Sequence, residues 1–190
     1  MGAAALRQAG HELQPALTSF TVRTGTSADL DAVTDIKVAN WADSYAPLIP
    51  PAVLGPFLDR EAQRAKLAEE IEPPSTSLLV AEDPSGRVIA CALTYLEREP
   101  EPWLESLHVL AEFRGRGAGT LLMRELAALL ADRGDHSLRL GVITGNDAAA
   151  RYYEALGATL LVEEPVTWAE GVRHQVFRWD DLTPLLRPKS

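Results

Sequence analysis

An α+β (mixed α/β) fold follows from three features of the 190-residue sequence. Two stretches with helical spacing follow a single short strand, and three strand-like runs then come in succession. A glycine-rich turn joins the last of those runs to a strongly apolar helix. Three consecutive strands ahead of that turn predict a mixed rather than a doubly wound sheet. About seven strands flanked by four helices are expected, in the order β-α-α-β-β-β-α-β-α-β-β.

Residues 20–23 alternate apolar and polar, which predicts the first strand. Thr26, Ser27 and Asp29 offer N-capping oxygens, and Leu30, Val33, Lys37 and Trp41 follow at helical spacing. Pro47, Pro50, Pro51 and Pro56 predict a loop or broken helical turn over 46–56, because proline has no N–H to donate within a helix. A second helix is expected over 59–71, ended by Pro73-Pro74. Strands over 77–82 and 88–95 are joined by the turn signal Asp83-Pro84-Ser85-Gly86, and another strand covers 103–109. The helix opening at Arg114 buries Leu122, Leu126, Leu129 and Leu130 and stops at Gly134. Residues 137–143 alternate as a strand. Asn146 then opens a helix with Ala149, Tyr152, Tyr153 and Leu156 on one face and Gly157 just past its end. Strands over 160–168 and 173–179 complete the sheet, the last read as an edge able to pair with a second copy in a homodimer. One domain over 20–186 is expected behind a flexible extension, 1–19.

With 46% hydrophobic and 24% charged residues, the chain has the composition of a soluble globular protein. No apolar run reaches the length of a membrane helix, so no membrane partner is expected. The N-terminus does not resemble a signal peptide, and a cytoplasmic location is expected. Cys91 stands alone in an apolar run and reads as a buried strand residue. A net charge of −9 argues against nucleic acid as a partner. It would favour a cationic acceptor by steering, or serve solubility alone.

The segment Arg114-Gly115-Arg116-Gly117-Ala118-Gly119 stands between a strand and a helix. The first four N–H groups of a helix lack internal partners and, with the helix dipole, form an anion site. Glycines let a phosphate approach, and guanidinium groups suit its geometry. No Lys-Ser/Thr follows Gly119, so this is not a P-loop, and the preceding strands do not form the βαβ unit of a dinucleotide fingerprint. Taken alone, the glycine spacing also fits a tight turn without a ligand.

Two motifs together resemble the GNAT superfamily of acetyltransferases. Its signature Arg/Gln-x-x-Gly-x-Gly/Ala is matched by residues 114–119. Its later pattern of Asn, a small residue, an aromatic-Tyr pair and Gly is matched by Asn146, Ala149, Tyr152-Tyr153 and Gly157. Ala158 and Leu110-Ala111 depart from the common residues and read as packing variants. The resemblance covers about 20–180 and implies a mostly antiparallel sheet splayed between strands 4 and 5 after Val109. It implies acetyl-CoA as co-substrate and no metal. Backbone groups of Leu107 and Val109 would pair with the pantetheine arm. Amides of Arg114, Gly115, Arg116, Gly117, Ala118, Gly119 and Thr120 would hold the pyrophosphate. Asn146 would touch the cofactor, and Tyr153 would lie near the sulfur.

The implied activity is acetyl transfer from acetyl-CoA to a primary amine by direct attack in a ternary complex. A non-catalytic acyl-CoA sensor, or a transferase for another acyl-CoA, is the alternative. Tyr153 is the candidate acid for the leaving thiolate, although its spacing alone fits simple packing. Glu105 is the candidate base, by the position a base takes in several relatives, on one strand face with Trp103, Leu107 and Val109. His108 competes by its pKa but is expected on the opposite face, and a water chain is a third route. Trp41 and Tyr45, by family position, would line the site of a small-molecule or peptide amine; both residues fit a core role as well.

Overall fold

A computed structural model describes residues 19–187, so nearly all of the expected N-terminal extension lies outside it. Seven strands form one sheet in the order β1-β2-β3-β4-β5-β7-β6. They are β1 (Thr21–Thr24), β2 (Thr76–Glu82), β3 (Val88–Tyr95), β4 (Trp103–Val109), β5 (Leu138–Ile143), β6 (Thr159–Pro165) and β7 (Arg173–Trp179). Every neighbouring pair is antiparallel except β4 and β5, which are parallel. The helices are α1 (Leu30–Ser44), α2 (Pro51–Leu58), α3 (Arg60–Ile71), α4 (Ala118–Arg133), α5 (Asp147–Ala155) and the short α6 (Thr183–Leu186). None among the described residues is long and apolar enough to cross a membrane.

Six helices stand where four were expected. The proline-rich stretch is the main reason: Pro51 occupies the first turn of α2, where its missing N–H costs nothing. The expected edge at 173–179 is corrected as well. β7 lies inside the sheet between β5 and β6, and β6 is the outer strand.

β2 and β3 are covered on both faces, which is why Leu78–Ala81 and Ile89–Leu93 run apolar without alternation. One face packs on α4 through Leu122, Met123, Leu126 and Leu130. The other packs on α1 and α3 through Leu30, Val33, Ile36 and Leu67, with Cys91 buried among them. The N-terminus of α1 is anchored at Asp29. Its carboxylate accepts from the Thr26 N–H and from both terminal nitrogens of Arg23, each contact at 2.8 Å.

A single irregularity shapes the centre of the sheet. Leu93 faces Ser106 and Thr94 faces Leu104, so Glu105 is an extra residue with no partner on β3. Such a bulge bends and twists its strand. β5 follows β4 only at Trp103↔Arg139 and Leu104↔Leu140, and the strands part where the bulge begins. The gap expected after Val109 therefore opens earlier, from Glu105. Gly141 on β5 makes room at this seam, because a Cβ there would collide with the His174 side chain and crowd Trp103.

Candidate active site

Parting of the strands leaves backbone groups of β4 unpaired. Leu110 N–H donates to Ile89 O at 3.0 Å, so alternation directs the N–H and C=O of Leu107 and Val109 to the opposite edge, into the gap. A cavity of about 1020 Å³ runs through this gap. Residues from the α4 and α5 side line one end, and residues from α1 and α3 line the other.

The α4 end is made mainly of backbone. Gly117 caps the helix with φ +95°, a conformation that a Cβ would strain. The N–H groups of Gly117, Ala118, Gly119 and Thr120 have no backbone acceptor, and no acidic side chain stands in the first turn. Unpartnered amides at a helix start suit an anion such as phosphate. Arg116 lies over the Phe113 ring, 5.6 Å from its centroid, and remains outside the ion pairs of the described residues. Arg114 does something else. Its Nε donates to Val109 O at 3.2 Å, its Nη1 to Asp43 at 2.6 Å and its Nη2 to Asn40 Oδ1 at 3.0 Å. That guanidinium fastens the glycine loop to α1 and β4 rather than reaching for a phosphate. Asn40 completes the clasp, donating through Nδ2 to Val109 O at 3.2 Å and to Ile36 O at 3.0 Å.

At the waist, Asn146 caps α5 by accepting from Ala149 N–H at 3.3 Å. Tyr153 is buried, with its ring edge-on to Tyr152 at 5.1 Å and to Trp179 at 6.0 Å. Desolvation, reinforced by Tyr152 and Tyr45, pushes its hydroxyl well above the usual tyrosine range, so it stays protonated at neutral pH. Tyr45 is likewise raised by burial, partly offset by a hydrogen bond with the Asn146 side chain. Trp41 stacks on Phe57 at 3.9 Å and packs on Tyr45 at 4.7 Å. Both Trp41 and Tyr45 therefore line the cavity and belong to an aromatic cluster at the same time.

At the α1 and α3 end lie Lys37, Gln63, Lys66, Glu105, Ser106 and His108. The bulge corrects the expected strand faces. Ser106 and His108 follow Leu93 and Cys91 toward α1 and α3, whereas Leu107 and Val109 face α4. Glu105 is drawn to the same side as His108, accepting from Trp103 Nε1 at 3.2 Å and facing Glu70, Lys66 and Lys37. Desolvation, then the Glu70 carboxylate, raises the Glu105 pKa. Burial, with Lys37 and Arg114 nearby, lowers His108 to about 3, so its imidazole is neutral at pH 7. Lys37, Asn40, Gln63, Lys66 and Ser106 were not singled out as site residues. Lys37 carried one signal in the sequence: a cation at an apolar position of its helix.

These features are those of a known family. The model of the Acetyltransferase (GNAT) family matches residues 37–158. The chain belongs to the GNAT acetyltransferase family. An uncharacterized N-acetyltransferase of Mycobacterium bovis is 27% identical over 129 residues, which are 68% of this chain and 82% of that protein. The thialysine N-epsilon-acetyltransferase of Bos taurus is 39% identical over 61 residues, 32% of this chain and 36% of that protein. The PaiA N-acetyltransferase of Thermoplasma acidophilum, solved with coenzyme A, has the same fold. It superposes with a TM-score of 0.72 at 17% identity, covering 84% of this chain and 98% of that one. YncA of Salmonella typhimurium, solved with acetyl-CoA, gives 0.65 at 20% identity, covering 91% and 97%. By family, this GNAT protein is an N-acetyltransferase.

Proposed function

We propose that residues 20–186 form one GNAT domain that transfers an acetyl group from acetyl-CoA to a primary amine, with both bound at once. The observation that carries this reading is the continuity of the cavity. Free N–H groups at the start of α4 lead past the open edge of β4 into a polar chamber beyond the sheet. Bound acetyl-CoA supplies the thioester carbonyl at which an amine is acylated.

The chain's own groups divide the work. Amides of Gly115 and of residues 117–120 hold the pyrophosphate, with Arg116 as added charge and Arg114 as the clasp; the expected Arg114 and Arg116 amides are excluded because they donate to Ala111 O and Phe113 O. Leu107 offers its N–H and C=O and Val109 its N–H to the pantetheine arm, the Val109 carbonyl being held by Asn40 and Arg114, and Asn146 and Tyr153 line its inner end. Val109 N–H is the donor for the developing oxyanion. Tyr153, held protonated, donates to the departing sulfur. Glu105 takes the proton of the amine, directly or through water, since an amine must be neutral to attack. A neutral His108 with a pKa of about 3 is a poor base at pH 7, which favours Glu105. Trp41 and Tyr45 wall the acceptor path.

Calorimetric titration of acetyl-CoA into wild type and Gly117→Glu tests the reading, followed by thiol release with a panel of amines. Binding lost in the mutant, together with amine-dependent thiol release by wild type, supports it. A folded wild type that binds no acetyl-CoA would overturn it.

A further inference from the structure

The α1 and α3 end of the cavity holds an ammonium group that the reaction above does not use. Lys37 is 6% exposed and lines the chamber. Its Nζ forms a long ion pair with Glu70 Oε2 at 3.7 Å, beyond hydrogen-bond reach, so that oxygen has no hydrogen-bond partner and the ammonium keeps its donor capacity. Glu70 is served from elsewhere: its Oε1 accepts from Tyr95 OH at 2.9 Å and lies 3.4 Å from Lys66 Nζ. The same wall carries two more buried polar atoms without partners, Ser106 Oγ and His108 Nε2. Buried polar groups are ordinarily hydrogen-bonded, and here Ser106 Oγ and His108 Nε2 are not, beside an ammonium whose one ion pair is too long for a hydrogen bond.

We propose that Lys37, Ser106 and His108 form a subsite for a carboxylate carried by the acceptor, so that the acceptor is an amino-acid-like amine rather than a plain amine or a polyamine. This rests on the acetyl-transfer reading and names its substrate class. A carboxylate oxygen can accept from Lys37 Nζ and from the Ser106 hydroxyl, and a neutral imidazole can present its Nε2–H. One ammonium with two neutral donors suits a single negative charge. A dianionic phosphate would face Glu70 and Glu105 across the same chamber, where Lys37 and Lys66 already share the Glu70 carboxylate. The two signs are spatially ordered: Glu105 can attract the acceptor's ammonium, and Lys37 its carboxylate. Lys37 stands three residues, about 4.5 Å of helix rise, before Asn40, whose amide touches the Val109 carbonyl. The anion would thus be held close to the strand that presents the thioester.

The test uses full-length protein, acetyl-CoA and matched pairs of acceptors, each an amino acid and its decarboxylated amine, read by thiol release. Wild type is expected to favour the carboxylate member by at least about tenfold in kcat/KM. In Lys37→Met that preference falls toward one through KM, and Lys37→Arg restores part of it. A turnover-independent reading follows the His108 imidazole resonance, assigned with His108→Gln, as amino acids are added to the CoA complex. A shift is expected in wild type and none in Lys37→Met. Equal or better use of the decarboxylated members, equal losses on both members in Lys37→Met, or an unmoved His108 resonance would overturn the subsite. Absence of acetyl-CoA binding would instead defeat the acetyl-transfer reading beneath it.

Discussion

At the α4 end of the cavity, the N–H groups of four neighbouring residues, 117–120, have no backbone acceptor, and Gly117, Gly119 and Thr120 line the wall. At the other end they are side chains, brought together from α1, α3 and β4. In the proposed reaction the first end would bind what every member of a cofactor class shares, using atoms that every residue has. Only glycine placement and helix direction had to be encoded there. The second end is the proposed acceptor chamber, and its chemistry changes with any one of six side chains. Local sequence therefore writes the cofactor end, whereas tertiary packing assembles the acceptor end.

The most severe way to break the first end is Gly117→Glu. A carboxylate set against phosphate costs several kcal/mol, so acetyl-CoA affinity is expected to fall about a hundredfold or more in calorimetry. Lysine and alanine at the same position separate charge from backbone strain, because only the glutamate repels.

Tyr153→Phe tests the waist between the ends. Turnover is expected to drop about a hundredfold with acetyl-CoA affinity nearly intact. Unchanged turnover would reduce Tyr153 to a core aromatic.

Glu105→Gln probes the acceptor end, with an expected loss of about tenfold near neutral pH, since water can partly replace the base. The base works ionised. Its pKa is raised by desolvation and by Glu70, so wild-type kcat/KM should fall as pH drops through that raised value. The falling limb should vanish in Glu105→Gln and move to lower pH in Glu70→Gln, where the repelling charge is gone. A pH–rate profile that neither mutation shifts would dismiss Glu105 as the base.

Asn40→Ala sharpens the comparison most gently, because Asn40 touches both regions. Losing its bonds to Val109 O and to Arg114 should cost about 1–2 kcal/mol in stability, read by urea unfolding. The KM for acetyl-CoA should rise about threefold, as the loop loses one of its ties.

The sequence carried the cofactor end because its signals are contiguous. Strand, glycine turn and apolar helix fall within one short stretch, and the Asn146 to Gly157 pattern is nearly as compact. Strand number and the absence of double winding followed from simple periodicity. The bulge at Glu105 did not, since one extra residue leaves no mark in an alternating run, yet it reverses which side chains share a face. His108 and Glu105 thus end on one side of the sheet although simple counting separates them. The Arg114 clasp was equally hidden: its partners, Asn40 and Asp43, lie on a helix far away in the chain. α2 was missed because its prolines sit at its boundary and within it, where local rules favour a break.

Among the described residues β4 is in register with β5 at only two residue pairs, next to one bond from Arg139 N–H to Pro102 O at 3.0 Å. The seven-stranded sheet is therefore built as a four-stranded and a three-stranded piece joined at one short seam. By strand order, Leu107 and Val109 sit in the middle of the sheet, but their amide hydrogens should exchange with solvent as fast as those of an outer strand. A pantetheine arm lying along β4 would act as the missing strand and protect them. At a free cofactor concentration a hundred times its Kd, occupancy adds about 2.7 kcal/mol to the folded state. Slowed exchange at these two positions would locate that gain at the seam.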